Sequence, residues 1–142
     1  MTVKLDTEDI RCIGVFERIT GAGAMDCIVD NEANKVILVV KKGDMGLAIG
    51  KGGSNITKVK DMLRRDVEVV EHSPDINEFI ENLFRPVSVK SVEMQTKDDK
   101  SVVYVVVPNK DKGIAIGKGG EKIKKVKLLV NRLQDIDDVI IK

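Results

Sequence analysis

The sequence has little of what most catalytic and metal-binding sites require. Among its 142 residues there is one histidine, His72, and there are two cysteines, Cys12 and Cys27, which form no CxxC pair. A histidine-based metal site or a Ser-His-Asp triad is therefore nearly excluded, and the two thiols predict small buried side chains rather than a disulfide framework. We expect no catalytic residue, no metal and no cofactor, and therefore a protein that is not an enzyme.

Long apolar runs and aromatic side chains are also scarce. The longest apolar runs, residues 36–40 and 102–107, are far shorter than a membrane span, and the first residues show no signal-peptide segment. Together with the scarcity of cysteine, this predicts a cytoplasmic protein with no membrane partner. Three phenylalanines, one tyrosine and no tryptophan are too few for an aromatic platform on which nucleic-acid bases stack.

Neither sign of charge is in excess. Lysine and arginine number 24 against 23 aspartates and glutamates, a net charge of +1, and 42% of the residues are apolar. This composition is typical of a folded globular chain. The near-neutral total argues against a nucleic-acid-binding protein unless positive charge is concentrated locally, because a basic surface is the usual footprint of such proteins.

What the sequence does contain is an internal repeat. Residues 46–60 and 113–127 are identical at 11 of 15 positions at an offset of 67, and the apolar runs upstream align at the same offset. Each copy predicts the order α-β-β-α-α-β, with a glycine loop between its last two helices. In the second copy we expect Ser73 to cap the first helix and Pro74 to occupy its first position. The predicted fold class is α/β (α+β), with a three-stranded sheet packed on helices in each copy.

The repeat predicts two domains, residues 1–72 and 73–142. The link around His72, Ser73 and Pro74 is short and stiffened by proline, which favours two domains in a fixed relation over independent tumbling. The apolar runs 36–40 and 102–107 would place apolar side chains on both faces of their strands. One face is expected to pack on helices, and the other to form either a domain–domain surface or a partner site.

Each copy places Ile-Gly-Lys-Gly-Gly between two helical patterns. Three glycines in four residues weaken a helix, and a tight corner alone would usually need only one. Glycines let a ligand backbone approach the peptide closely, and the following helix points its N–H groups at the same place, which attracts phosphate. The spacing does not fit a P-loop, because Gly52 rather than serine or threonine follows Lys51, and GxGxxG does not occur.

The sequence Ile-Gly-x-x-Gly, followed three residues later by isoleucine and a basic helix, resembles the GxxG signature of KH domains. The α-β-β-α-α-β order is similar to the prokaryotic, type II form of that fold. Two such units with almost no linker resemble the NusA family of transcription elongation and termination factors, over essentially the whole chain. The sequence departs from bacterial members, which add a polymerase-binding domain and an OB-fold domain, and is similar to the short archaeal form with two tandem type II KH domains alone.

The resemblance implies a single-stranded RNA-binding transcription factor, with RNA polymerase as a second candidate partner. Each unit would hold about four nucleotides, with the glycine loop on the sugar-phosphate backbone and nearby isoleucines under the bases, although plain core packing would equally explain those isoleucines. The residues assigned to RNA binding are Ile49, Gly50, Lys51, Gly52, Gly53, Ile56 and Lys58 in the first copy, and Ile116, Gly117, Lys118, Gly119, Gly120, Lys122, Ile123 and Lys125 in the second.

The segments that contain the two glycine loops carry a net positive charge. Residues 41–60 hold five lysines and one acid, net +4, and residues 110–127 hold seven lysines and two acids, net +5. The second loop is the more basic and is expected to contribute more to RNA binding. Two alternatives remain: an RNA-binding factor in ribosome biogenesis or RNA processing, and a KH pair that binds protein instead of RNA.

Overall fold

The computed structural model describes residues 6–142. The first residues, for which we expect no signal peptide, lie partly outside this range. The described chain divides into two compact units, residues 6–73 and residues 74–142. Each unit contains one copy of the repeat. The predicted domain boundary between residues 72 and 73 stays a prediction.

The first unit has the predicted order α-β-β-α-α-β. Its elements are α1 (Thr7–Thr20), β1 (Ala24–Asp30), β2 (Lys35–Val40), α2 (Met45–Ile49), α3 (Ser54–Leu63) and β3 (Asp66–Glu71), with a 3-10 turn at Lys51–Gly53. Strand β2 is central, paired antiparallel with β1 and parallel with β3. The parallel pair requires a long crossover, and α2, the glycine loop and α3 supply it.

Local chemistry explains both ends of α1. Asp6 accepts a hydrogen bond from the Asp9 amide at 2.8 Å, and Asp9 accepts one from the Asp6 amide, which completes a capping box. Gly21 ends the helix in the left-handed conformation that glycine adopts without strain. The sequence predicted both ends, with Asp6 or Thr7 as the cap.

The core of the first unit lies between its helices and one face of its sheet. Phe16 of α1, Leu38 of β2 and Val59 of α3 are fully buried there. Cys12 and Cys27 belong to the same core and are free thiols, which confirms the prediction of two buried small side chains. Burial raises the pKa of both thiols, so both stay protonated and unreactive at neutral pH.

The second unit repeats the same architecture. Its elements are α4 (Ile76–Phe84), β4 (Ser91–Lys97), β5 (Lys100–Val106), α5 (Lys112–Ile116), α6 (Glu121–Gln134) and β6 (Asp138–Ile141), with 3-10 turns at Asn109–Asp111 and Lys118–Gly120. Strand β5 is central, antiparallel to β4 and parallel to β6. Two three-stranded sheets packed on helices confirm the predicted fold class.

Two sequence predictions in the second unit were wrong in detail. The cap of α4 is Asp75, not Ser73, and Pro74 precedes the helix instead of opening it. Asp75 has an extended backbone, and its carboxylate accepts from the Asn77 amide at 3.4 Å, which is the geometry that a cap requires. Strand β4 begins at Ser91, opposite Val106, rather than at Val87.

The two central strands differ in burial. All five residues 36–40 of β2 are buried, so both faces of that strand are covered. In β5, Val103 and Val105 are buried, whereas Val102, Tyr104 and Val106 on the alternate face are half-buried. No helix within residues 6–142 has the length and apolar character needed to span a membrane.

Candidate nucleic-acid interface

The two glycine loops have the same backbone conformation. Gly52 has φ 62° and ψ 22°, and its counterpart Gly119 has φ 64° and ψ 18°. Gly53 and Gly120, the next residues, are also left-handed, with φ of 78° and 76°. In each loop, three of four consecutive residues have positive φ, and all three are glycines. Most other residues would be strained in this conformation, which glycine adopts freely.

The first glycine of each loop also meets a steric limit. A Cβ atom on Gly50 would lie 2.8 Å from the backbone nitrogen of Asn55, and one on Gly117 would lie 2.8 Å from the backbone nitrogen of Lys122. By contrast, a Cβ atom on Gly52 or Gly119 would meet nothing within 4 Å. The first glycine therefore holds the loop against its helix, while the third residue of the loop faces open space.

The helices after the loops begin without a side-chain cap. The cap residues of α3 and α6 are Gly53 and Gly120, and neither helix has a capping hydrogen bond from a side chain. In contrast, α1 and α4 are capped by Asp6 and Asp75. The first amides, those of Ser54 and Glu121, donate to the carbonyls of Lys51 and Lys118, so what each helix start offers an anion such as phosphate is chiefly its positive dipole end.

An exposed apolar pair precedes each loop. Leu47 and Ile49 of α2 are 50% and 36% exposed, and Ile114 and Ile116 of α5 are 55% and 41% exposed. These side chains are not core residues, because the buried position of each short helix is an alanine, Ala48 or Ala115. The GxxG resemblance pointed only to Ile49 and Ile116. The shared spacing of the apolar residues within GLAIG and GIAIG also indicates Leu47 and Ile114.

The isoleucines after the loops are different. Ile56 is half-buried and packs against the core of the first unit, and its Cγ2 lies 3.9 Å from where a Cβ on Gly53 would be. Ile123 is half-buried at the equivalent place, 4.0 Å from the corresponding position on Gly120. Both isoleucines lie beside the last glycine of their loop, and for Ile56 core packing explains the residue type.

The lysines assigned to RNA binding fall into two groups. Lys51, Lys58 and Lys118 are exposed, two of them within the loops themselves. Lys125 is half-buried, and its ammonium lies 3.9 Å from the carboxylate of Glu121, one turn earlier on α6. The first group presents its charge to solvent beside the loop, and Lys125 shares its charge with a neighbouring acid.

Lys122 has a different environment from the one expected. Its ammonium donates hydrogen bonds to the carbonyl oxygens of Phe84 at 3.3 Å and Arg85 at 2.8 Å, at the C-terminal end of α4. Cations stabilise that end of a helix because it carries partial negative charge. The sequence placed Lys122 among the phosphate-binding residues, whereas these contacts give it a place in the packing of the second unit.

Other lysines in the same segments bind acids of the closing strands. Lys60 lies 3.6 Å from Asp66 at the start of β3, and Lys127 lies 3.1 Å from Asp138 of β6. These exposed pairs contribute little to stability but reduce the positive potential at that end of the helices. Lys51 and Lys118, within the glycine loops, are exposed to solvent.

Comparison with known proteins agrees with this geometry. The KH domain family matches residues 11–98, and the NusA-like second KH domain matches residues 76–139. The chain is 40% identical over 139 residues to the probable transcription termination protein NusA of Halobacterium salinarum, covering 98% of both proteins. It is 37% identical over 139 residues to the protein of the same name from Methanococcus vannielii, covering 98% of this chain and 79% of the relative.

A solved structure shows the same architecture. The crystal structure of APE1850 superposes with a TM-score of 0.82 at 38% sequence identity, covering 97% of this chain and 100% of that one. The repeat, the two glycine loops and relatives aligned along nearly the whole chain lead to one assignment. The chain belongs to the NusA family, and it is a NusA-like transcription termination protein with KH domains.

Proposed function

We propose that the protein binds single-stranded RNA with its two glycine loops and that each unit acts as one RNA-binding domain. The observation that carries the proposal is the same arrangement found twice: an exposed apolar pair, a loop of left-handed glycines with an exposed lysine, and a helix that starts without a side-chain cap. Phosphates would contact the loop and the helix start, because glycine lets the RNA backbone approach both.

The apolar pairs would contact the bases. Leu47 and Ile49, and likewise Ile114 and Ile116, are exposed immediately before a loop that holds the RNA backbone. Aliphatic side chains supply apolar contact without the aromatic stacking that the composition excludes. We propose that binding is therefore moderate at each unit, and that two units on one RNA gain affinity through effective concentration.

The relative contribution of the two loops stays a prediction. The local count favours the second loop, but at least three of its seven lysines, Lys122, Lys125 and Lys127, bind groups of the protein itself. We propose that the advantage of the second loop is smaller than its net charge indicates.

The biological setting follows from the family. We propose a cytoplasmic, non-enzymatic factor that assembles with RNA polymerase while it holds the transcript. The relatives are named for transcription termination, so a role in ribosome biogenesis or RNA processing is not favoured. Co-purification from native extract with RNA polymerase rather than with ribosomal particles is the expected result, and the reverse association would contradict this setting.

The loop assignment is tested by paired variants. Lys118→Asp with Gly119→Asp should abolish RNA binding by the second unit and leave the fold intact, because residue 119 faces open space in a conformation that aspartate tolerates. Lys51→Asp with Gly52→Asp is the matched change in the first unit. Fluorescence anisotropy with a single-stranded RNA of about twelve nucleotides measures the affinity of each variant. The dependence of that affinity on salt reports how many phosphates each loop binds.

A control variant carries the same change in charge elsewhere. Lys97→Asp with Gln95→Asp alters two exposed residues of β4, an edge strand away from the loops. We expect RNA affinity of this control to stay within about twofold of the wild type, since long-range charge effects are screened at physiological salt. Equal losses for control and loop variants would show that the loops are not the binding site.

A further inference from the structure

An arginine links the end of α3 to the start of α1 in the first unit. Arg65 follows Arg64, the left-handed residue that ends α3. Its guanidinium forms an ion pair with the carboxylate of Glu8 in the first turn of α1. The Arg65 side chain is only 20% exposed, so the ion pair is partly shielded from solvent.

The second unit has no arginine at the equivalent position. The backbone N–H of Asp66 donates to the carbonyl of Asn34 at 3.1 Å. In the second unit, the backbone N–H of Asp137 donates at 2.9 Å to the carbonyl of Ser101, which stands 67 residues after Asn34. The residue before each of these aspartates is therefore equivalent in the two units, and it is Arg65 in the first and Ile136 in the second. An acid also stands at the equivalent sequence position, since Asp75 is 67 residues after Glu8, but it is the cap residue of α4 rather than a residue of the first turn.

A cavity open to solvent is lined by Ile136, the residue equivalent to Arg65, and by Asp75, the residue 67 positions after Glu8. Its volume is about 480 Å³, and its lining includes Asp75, Ile76, Met94, Ser101, Asp135 and Ile136. Of the apolar lining residues, Ile136 is 3% exposed and Met94 is 55% exposed. The lining therefore combines apolar side chains with two aspartates, of which Asp135 is exposed and Asp75 also caps α4.

We propose that this cavity receives an arginine side chain from an exposed segment of a protein partner. Arginine suits the site better than lysine does, because its planar guanidinium pairs with carboxylates while its methylene stem packs on apolar surface. The first unit supplies the precedent within the same chain: there the acid at the start of the first helix already pairs with an arginine. Two carboxylates repel RNA phosphates, so a protein is the favoured class of partner. The proposal does not depend on RNA binding by the glycine loops.

The experiment titrates the full-length protein with a defined probe. The peptide acetyl-Ala-Arg-Ala-amide is added to ¹⁵N-labelled protein, and amide chemical shifts are followed by NMR. We expect saturable shifts concentrated at Ile76, Ser101 and Ile136, with millimolar affinity. The same peptide with citrulline, which keeps the shape but lacks the charge, should bind at least fivefold more weakly. Equal binding of the two peptides, or shifts scattered over other surface acids, would overturn the proposal.

Matched variants separate the cavity from general charge attraction. Asp135→Asn removes one carboxylate and keeps the left-handed backbone, which asparagine tolerates, so we expect it to weaken arginine-peptide binding at least threefold. Glu93→Gln removes the same charge from the opposite face of β4 to Met94 and should leave binding unchanged. Equal effects of the two variants would contradict a specific cavity. Displacement of the peptide by an eight-nucleotide RNA would assign the cavity to nucleic acid and also overturn the proposal.

Discussion

The ammonium of Lys122 lies 2.8 Å from the carbonyl oxygen of Arg85 and ties the start of α6 to the end of α4. Its counterpart at the same place in the first repeat, Asn55, donates instead to the carbonyl of Leu47 at 2.8 Å, across the first glycine loop. The same position after each loop thus binds a backbone carbonyl in both units, but on different elements. Asn55 thereby braces its loop, whereas Lys122 braces the start of α6 against α4.

Replacement of Lys122 by alanine should therefore destabilise the second unit more than it weakens RNA binding. Loss of two charge-assisted hydrogen bonds predicts a decrease of roughly 1–2 kcal/mol in the free energy of unfolding of that unit. Thermal or urea unfolding measures the decrease, and RNA affinity is measured below the transition. Lys124→Ala, at an exposed neighbouring position of α6, is the control and should change stability by less than about 0.5 kcal/mol. If Lys122→Ala lost much of its RNA affinity while its stability stayed unchanged, Lys122 would be a phosphate-binding residue.

The first glycine of each loop should tolerate no side chain. Gly50→Ala and Gly117→Ala each place a Cβ atom 2.8 Å from a backbone nitrogen at positive φ, so we expect a loss of roughly 1–3 kcal/mol in stability. Gly46→Ala and Gly113→Ala are matched controls on α2 and α5, where an added Cβ meets nothing within 4 Å. These controls should be neutral or stabilising by about 0.5–1 kcal/mol, because alanine favours helix. Unfolding curves measure the stability of all four variants. An equal change in stability for the loop variants and the helix controls would refute this account of the loop.

The acid beside the second loop should limit its affinity for RNA. Glu121 lies one turn before Lys125, whereas the equivalent residue before Lys58 in the first unit is Ser54. Glu121→Ser should raise RNA affinity about two- to threefold at low salt, with the gain disappearing as salt screens the charge. The reciprocal change, Ser54→Glu, should lower affinity by a similar factor. Anisotropy titrations at two salt concentrations test both, and opposite signs would show that phosphates do not approach this turn of the helix.

Burial of His72 predicts a pH-dependent stability. Burial lowers the pKa of this side chain below its usual value of 6.5, so the folded state favours neutral histidine. The unfolded chain then binds the proton more readily, and stability should be complete above pH of about 6.5 and be lost as the pH falls from there to the folded-state pKa. Melting temperatures between pH 7.5 and 5.5 measure the effect. His72→Gln should flatten the profile in this window, and an unchanged slope in that variant would assign the effect to other groups.

The order of the elements and both ends of α1 follow from the sequence alone. The 67-residue offset predicted two copies of α-β-β-α-α-β, and capping residues such as Asp6 and Gly21 predicted the ends of α1. The start of α4 was missed because Ser73, Pro74 and Asp75 are all acceptable near a helix start. Only the backbone conformation shows which of them accepts the capping hydrogen bond.

The sequence by itself determined the repeat, the fold class and the position of the glycine loops, because these depend on periodicity and on residues with special backbone preferences. Tertiary structure decided what each charged or apolar side chain near the loops contacts. It exposed Leu47 and Ile114, engaged Lys122 with the end of α4, and left a cavity at Ile136 where the first unit has Arg65. Those outcomes depend on residues far apart in the chain, and local sequence patterns carry no information about which distant group a side chain meets.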